Sequence, residues 1–209
     1  MSITFPLIWP SGVGIRSIAW KPIGGSTPVI SPFTGKAQVQ VSPRQQWAAS
    51  LTLPPIRNRD RQDDFIGFLL ALNGAAGSFV LTDPDYTGPR GAATGSPVVD
   101  GAGQAGNSLA IKGFDANVTG ILKRGDRIGL GSGSSLRMYR IVADADSDGD
   151  GKAVVDIWPF LRATPANETP VGVGAVGAVF MIPGGIPTWV VDRIRDHEIA
   201  DLDILEDLR

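Results

Sequence analysis

The sequence contains no cysteine. That excludes a disulfide framework, a thiolate zinc site and a cysteine nucleophile, while fitting either redox environment and so fixing no compartment. Histidine is nearly absent as well: His197 stands alone among Asp196, Glu198 and Asp201. A Ser-His-Asp arrangement would have to use it, and no serine sits in a recognisable nucleophile turn, so we read it as a surface residue. Excess charge of one sign is lacking too. A formal net charge of −2 and a pI near 5.3 give no basic footprint for gripping nucleic acid. Nowhere do about eighteen apolar residues run together, so no membrane span is expected. Met1 to Gly14 is apolar but broken by Pro6, Pro10, Gly12 and Gly14, and it lacks the basic n-region of a signal peptide.

What is abundant is punctuation. The 209 residues include 27 glycines and 16 prolines, which divide the chain into short apolar runs. Such a texture favours many strands and turns over a helical bundle, and the fold class is mainly β. The clearest signals lie between Gln46 and Asp83. Trp47, Ala49, Leu51 and Leu53 alternate with Gln46, Ala48, Ser50 and Thr52, the period of two that gives a strand one apolar face. Pro54-Pro55 ends it. Asn58 can then cap a helix from about Arg59 to Asn73, with Asp60, Asp63 and Asp64 near its positive end. Phe65, Phe68, Leu69 and Leu72 fall on one face, and Asn73-Gly74 supplies a left-handed stop. Ser78 to Thr82 reads as a second strand. One strong amphipathic helix in the chain has a sheet to cover.

Further strands are expected at Ile15 to Trp20, Lys36 to Val41, Ala178 to Ile182 and Thr188 to Val191. From Gly88 to about Arg162 the texture becomes a glycine-rich series of short strands. These lie near Ser108–Lys112, Asp126–Leu130, Leu136–Val142 and Ala153–Trp158, and read as a second, smaller β unit. At the end, Leu202 and Ile204 alternate with Asp201 and Asp203 as in a strand, whereas Ile199, Leu202, Leu205 and Leu208 match a helical face; the strand is favoured. Charge is distributed unevenly. Residues 1–65 hold 7 Lys+Arg against 3 Asp+Glu, and residues 192–209 hold 3 against 7, so the two ends can attract within a chain or between copies.

Two motifs bear on ligands. Asp144, Asp146, Asp148 and Asp150 alternate with small residues around Gly149, the pattern by which a short loop wraps oxygens around calcium. The closing acid is missing, since the twelfth position counted from Asp144 is Val155, so a polar turn stands beside a calcium site as the reading. Gly172-Val173-Gly174-Ala175-Val176-Gly177 has dinucleotide-binding spacing, but Pro170 precedes it and a strand-like run follows, so we read a glycine loop. No cofactor is expected beyond that possible calcium. Trp9, Trp20, Trp47, Trp158 and Trp189 are scattered and suit core or interface anchors.

In order, Trp47–Pro54, Phe65–Pro84, Gly95–Leu109, Gly120–Asp126 and Leu136–Arg162 resemble the distal tail or minor tail-tip (baseplate) proteins of long-tailed bacteriophages and prophages. The segments cover most of the middle of the chain, and the acidic Ser147–Gly151 departs from the shorter turn of that pattern. The resemblance implies a tail-tube-like β-sandwich with one flanking α-helix, made from residues 1–87 and 169–209, with a small β-barrel-like domain, 88–168, inserted. It implies a non-enzymatic virion protein of the phage tail, assembled in the host bacterial cytoplasm. Six copies would form a ring, a homohexamer joining the tail tube protein to the tail-tip hub or other baseplate proteins, with no specific nucleic-acid binding and no membrane insertion. The expected interface residues are Phe5, Ile8, Trp9 and Trp20, with Arg57, Arg59 and Arg61 as polar contacts. Two other readings stand beside it: a receptor-recognition module binding carbohydrate or calcium through the inserted unit, and a hydrolase using convergent acids.

Overall fold

The computed structural model describes residues 3–41, 44–191 and 197–209. Met1 and Ser2 of the apolar arm and residues 192–196 of the acidic end fall outside that description. The chain begins with β1 (Leu7–Ile8), β2 (Ser17–Trp20), β3 (Ser26–Ile30), β4 (Ala37–Val41) and β5 (Ala48–Thr52). Helix α1 (Arg59–Leu72) follows, then β6 (Phe79–Thr82). Next come β7 (Val98–Val99), β8 (Ser108–Lys112), β9 (Arg127–Leu130), β10 (Arg137–Ile141), β11 (Lys152–Trp158) and β12 (Val171–Gly172). The last strands are β13 (Gly177–Met181), β14 (Trp189–Val191), β15 (His197–Ile199) and β16 (Leu202–Glu206). The protein is mainly β with one α-helix, as its sequence texture implies.

Six strands form the first sheet, in the order β1-β6-β13-β16-β5-β2. Its register places Ile18, Leu51 and Leu202 in one row and Trp20, Ala49 and Ile204 in the next. Those rows face α1. Asn58 accepts a hydrogen bond from Arg61 N at 3.1 Å, and Asn73 closes the helix at φ 48°, donating to the carbonyls of Leu69 and Leu70. Phe65, Leu69 and Leu72 are fully buried, each worth about 1.5–3 kcal/mol against exposure. Aromatic rings run through this core as a chain. Trp9 meets Phe79 at 5.7 Å, Phe79 meets Phe180 at 6.4 Å, Phe180 meets Trp20 at 6.1 Å, and Trp20 meets Trp47 at 5.4 Å.

The second sheet lies wholly between β6 and β13 in the chain, in the order β12-β9-β10-β11-β8-β7. It nearly closes into a barrel. Val99 N donates to Thr169 O and Val171 N to Pro97 O, both at 2.9 Å, which brings the two edge strands together. Alternation along β11 buries Ala153, Val155 and Ile157, which join Leu109, Ile111, Ile128 and Ile141 in a separate core. The barrel extends to Gly172, beyond the 168 suggested by the sequence, because Val171–Gly172 pairs with β9.

Candidate assembly surfaces

The inner face of the first sheet is buried, and its outer face is mixed: Val179 is 1% exposed, Val80, Met181 and Leu205 are half-buried, and Ile8 beside Val80 is 83% exposed. The register that turns Ile18, Leu51 and Leu202 inward turns Ser17, Ala19, Ser50, Thr52 and Asp203 outward. These five are small or polar. Lys21 Nζ pairs with Asp203 at 3.3 Å, and Thr52 Oγ1 donates to Asp201 at 2.8 Å. Bonding by the Ser50 hydroxyl, then by Lys21, holds the Asp203 carboxyl below its usual range. This part of the face presents hydroxyls and a slight carboxylate excess to solvent, beside the apolar outward residues of β1, β6 and β13. The sheet's edges are β1 and β2.

The arm is seated on its own chain. β1 pairs in parallel with β6, and Trp9 Nε1 donates to Val13 O at 2.8 Å while its ring packs edge-on to Phe65 and Phe68. Phe5 lies over Gly77, where an added methyl would stand 2.5 Å from its ring. Of the expected interface residues, then, Trp9 and Trp20 turn into this chain's own core, because the aromatic chain gives each several ring partners. Ile8 remains 83% exposed and Phe5 37%. The three arginines are exposed. Arg59 forms an i,i+4 pair with Asp63 at 3.6 Å, and the stem of Arg61 lies against Gly12, where a methyl would come 3.0 Å from its Cγ.

Two hairpins leave the sheet as two-stranded ribbons. β3–β4 continues the β2–β5 hairpin past the Ile23–Gln46 bridge, and every residue of both strands is exposed. Val29, Ile30, Val39 and Val41 are each more than half exposed, and Phe33 at the tip is 94% exposed. β14–β15 continues the β13–β16 hairpin in the same way, with Val190 at 63% and Val191 at 52%. A partial signal for the first ribbon is the alternation at Ala37, Val39 and Val41. Nothing in the sequence announced β3, since Pro28 interrupts that strand, or β15, which holds His197. His197 is half-buried and its backbone pairs with Ile56, so it is not the surface residue expected.

The barrel is fastened to the sheet at three places. At the crossing points of the chain, Arg127 Nη2 pairs with buried Asp83 at 3.0 Å, and Tyr86 Oη lies 3.0 Å from Arg127 O and 3.2 Å from Val173 O. The Arg127 guanidinium also sits 5.0 Å above the Tyr86 ring. Beside β5, Trp47 Nε1 donates to Met138 O at 2.9 Å and its ring meets Trp158 edge-on at 4.5 Å. Finally, Arg162 Nη2 donates at 3.0 Å to Glu206, whose side chain is fully buried and also accepts Trp47 N. Sequence reasoning missed these three ties, which join residues far apart in the chain.

Three of the four aspartates of the acidic loop serve the backbone. Asp144 accepts from Arg124 N at 2.7 Å, Asp146 from Gly120 N at 2.6 Å, and Asp148 from both Asp150 N and Lys152 N. Among the described residues no group of three or more acids or histidines is placed to hold a metal. The Gly172–Gly177 loop leads into strand β13 and so lacks the helix that would receive a pyrophosphate. A cleft of about 700 Å³ beside the C-terminal residues is lined by Arg137, Tyr139, Arg162 and Arg209. Its guanidinium groups are engaged with carbonyls, Glu206 and Asp207 respectively.

No protein-family model matches the chain, and no curated protein matches it.

Proposed function

We propose that the chain is a non-enzymatic structural subunit of a phage tail tip, forming a ring, with six copies, between the tail tube and the hub or baseplate. The observation that carries this reading is the polar part of the sheet's outer face, along β2 and β5. Around Ser17, Ser50, Thr52 and Asp203 the outer face is hydroxyl-lined and slightly acidic, which suits the wall of a passage through which DNA moves without being held. The sheet's two open edges suit continuation into neighbouring subunits. The barrel, rigidly tied to the sheet, would be carried on the ring. Localisation to the virion and contacts with tube and hub proteins belong to the same reading.

Negative-stain imaging of the purified full chain, paired with a solution mass, tests it. Rings with a central opening and a mass six times 21.9 kDa are expected. A chain that stays monomeric at all concentrations would sink the ring.

A further inference from the structure

We infer that the β3–β4 ribbon of one copy docks on the β14–β15 ribbon of the next, a head-to-tail contact between copies of this chain; the choice of a second copy rests on the ring reading above. The argument starts from where the ribbons stand. β4 feeds into the start of β5, so the first ribbon lies at the pole where β5 begins. β16 runs antiparallel to β5 and opens opposite Leu51, and Ile56, just beyond the end of β5, pairs with His197 of β15. The second ribbon therefore lies at the opposite pole. A five-residue strand spans roughly 17 Å, so the ribbons cannot cover each other within one molecule.

The surfaces suit one another. In β3–β4 the register sets Pro28 opposite Val39 and Ile30 opposite Ala37 on one face, with Thr27, Val29, Gln38 and Gln40 on the other. An isolated two-stranded ribbon is marginal in water, and one with a bare apolar face needs a cover. Its exposed apolar side chains, Phe33 included, offer on the order of 500 Å², close to the roughly 800 Å² per partner of a stable interface once the flanking polar atoms are added. Lys36 is the one charged residue between Ser26 and Val41, and Glu198 the one acid in the described strands of the second ribbon. That gives the described residues of the two ribbons one charge of each sign. Because the contact joins different surfaces, it repeats, and it either closes into a ring or runs on as a filament.

The test uses the full chain and two variants, Val39→Glu and Val190→Glu, at positions more than half exposed. Far-UV circular dichroism and melting check that each folds, and Val39→Ser with Val190→Ser replace either one that does not. Light scattering after size exclusion reads the mass. The wild type is expected to assemble, and each variant alone to fall to 21.9 kDa. Mixed in equal amounts, the variants should form a dimer and nothing larger, since each keeps one intact ribbon. Affinity within that dimer should be at least tenfold above any self-association of either variant. Assemblies in the Val39→Glu variant like those of the wild type, or a mixture that stays monomeric, overturn the ribbon contact. Rings persisting in the variants would leave the ring reading standing without it. Open filaments in the wild type, with the mixed dimer, would keep the contact and remove the ring.

Discussion

Removing the positive half of the Arg162–Glu206 pair should loosen the barrel from the sheet. The Glu206 side chain is fully buried, and its Oε2 accepts from Trp47 N at 3.1 Å and from Arg162 Nη2 at 3.0 Å. With Arg162→Met the carboxylate keeps one neutral donor and stays out of water. The cost expected for stranding a buried charge is about 3–5 kcal/mol. Glu206→Gln is milder, because the amide oxygen can still accept from Trp47 N. Arg162, which is 13% exposed and lines the 700 Å³ cleft, can also turn toward solvent. Its cost should be about 1–2 kcal/mol. The double variant should then cost little more than Glu206→Gln alone, so the coupling approaches the Arg162→Met cost, about 3–4 kcal/mol. Urea unfolding of the four proteins measures this, with midpoints compared at unchanged slope. An Arg162→Met variant within 1 kcal/mol of the wild type would refute the claim that this pair holds the barrel to the sheet.

Two other groups give predictions of the same kind. Burial alone would raise the Asp126 carboxyl, but N–H donors from Lys123, Arg90 and Gly91, with the Arg90 charge, outweigh it and hold it below the usual range. A lowered folded value means that its contribution is complete above the unfolded value near 3.9 and is lost as pH falls through the folded one. Asp126→Asn should therefore cost about 2–4 kcal/mol at pH 7 by facing an amide against backbone N–H groups. The deficit should shrink toward acid in melts from pH 7 to 2; a deficit independent of pH would contradict the assignment. Asp148→Ala leaves the Asp150 and Lys152 N–H groups without their carboxylate and should cost about 1–2 kcal/mol. Calcium should leave the wild-type melting temperature unchanged, and a calcium-dependent rise would restore the loop as an ion site.

Local periodicity made much of the fold readable in the sequence. Phe65, Phe68, Leu69 and Leu72 mark the buried face of α1, and Asn58 and Asn73 mark its ends, because caps and 3.6-residue spacing are properties of contiguous residues. The strand reading of the C-terminus held for Leu202–Glu206, where burial alternates. The short strands β7, β12 and β15 escaped, since they are too short for a period and exist through their partners. The surfaces were less legible. A tryptophan in an apolar arm looks the same in sequence whether it meets Phe65 in its own core or a neighbour's groove. The acidic loop shows the same limit, because alternating aspartates suit a calcium ion and also suit the backbone N–H groups of Arg124, Gly120, Asp150 and Lys152 that they in fact cap.

The distribution of ties has a mechanical consequence for assembly. The barrel is held to the sheet by two buried ion pairs, a tryptophan pair and hydrogen bonds at both crossings of the chain, so the two cores should move together. Each ribbon is joined to the sheet by its own two strands, backed by bridges such as Ile23–Gln46 and Ile56–His197. Local stability follows buried contacts, so the ribbons belong to the low end and the barrel–sheet unit to the high end. Docking would therefore order the ribbons without deforming the body that carries them. Hydrogen exchange of the assembled protein should then protect Val29, Val39 and Val190 amides relative to the Val39→Glu variant, while leaving Leu51 and Val155 unchanged.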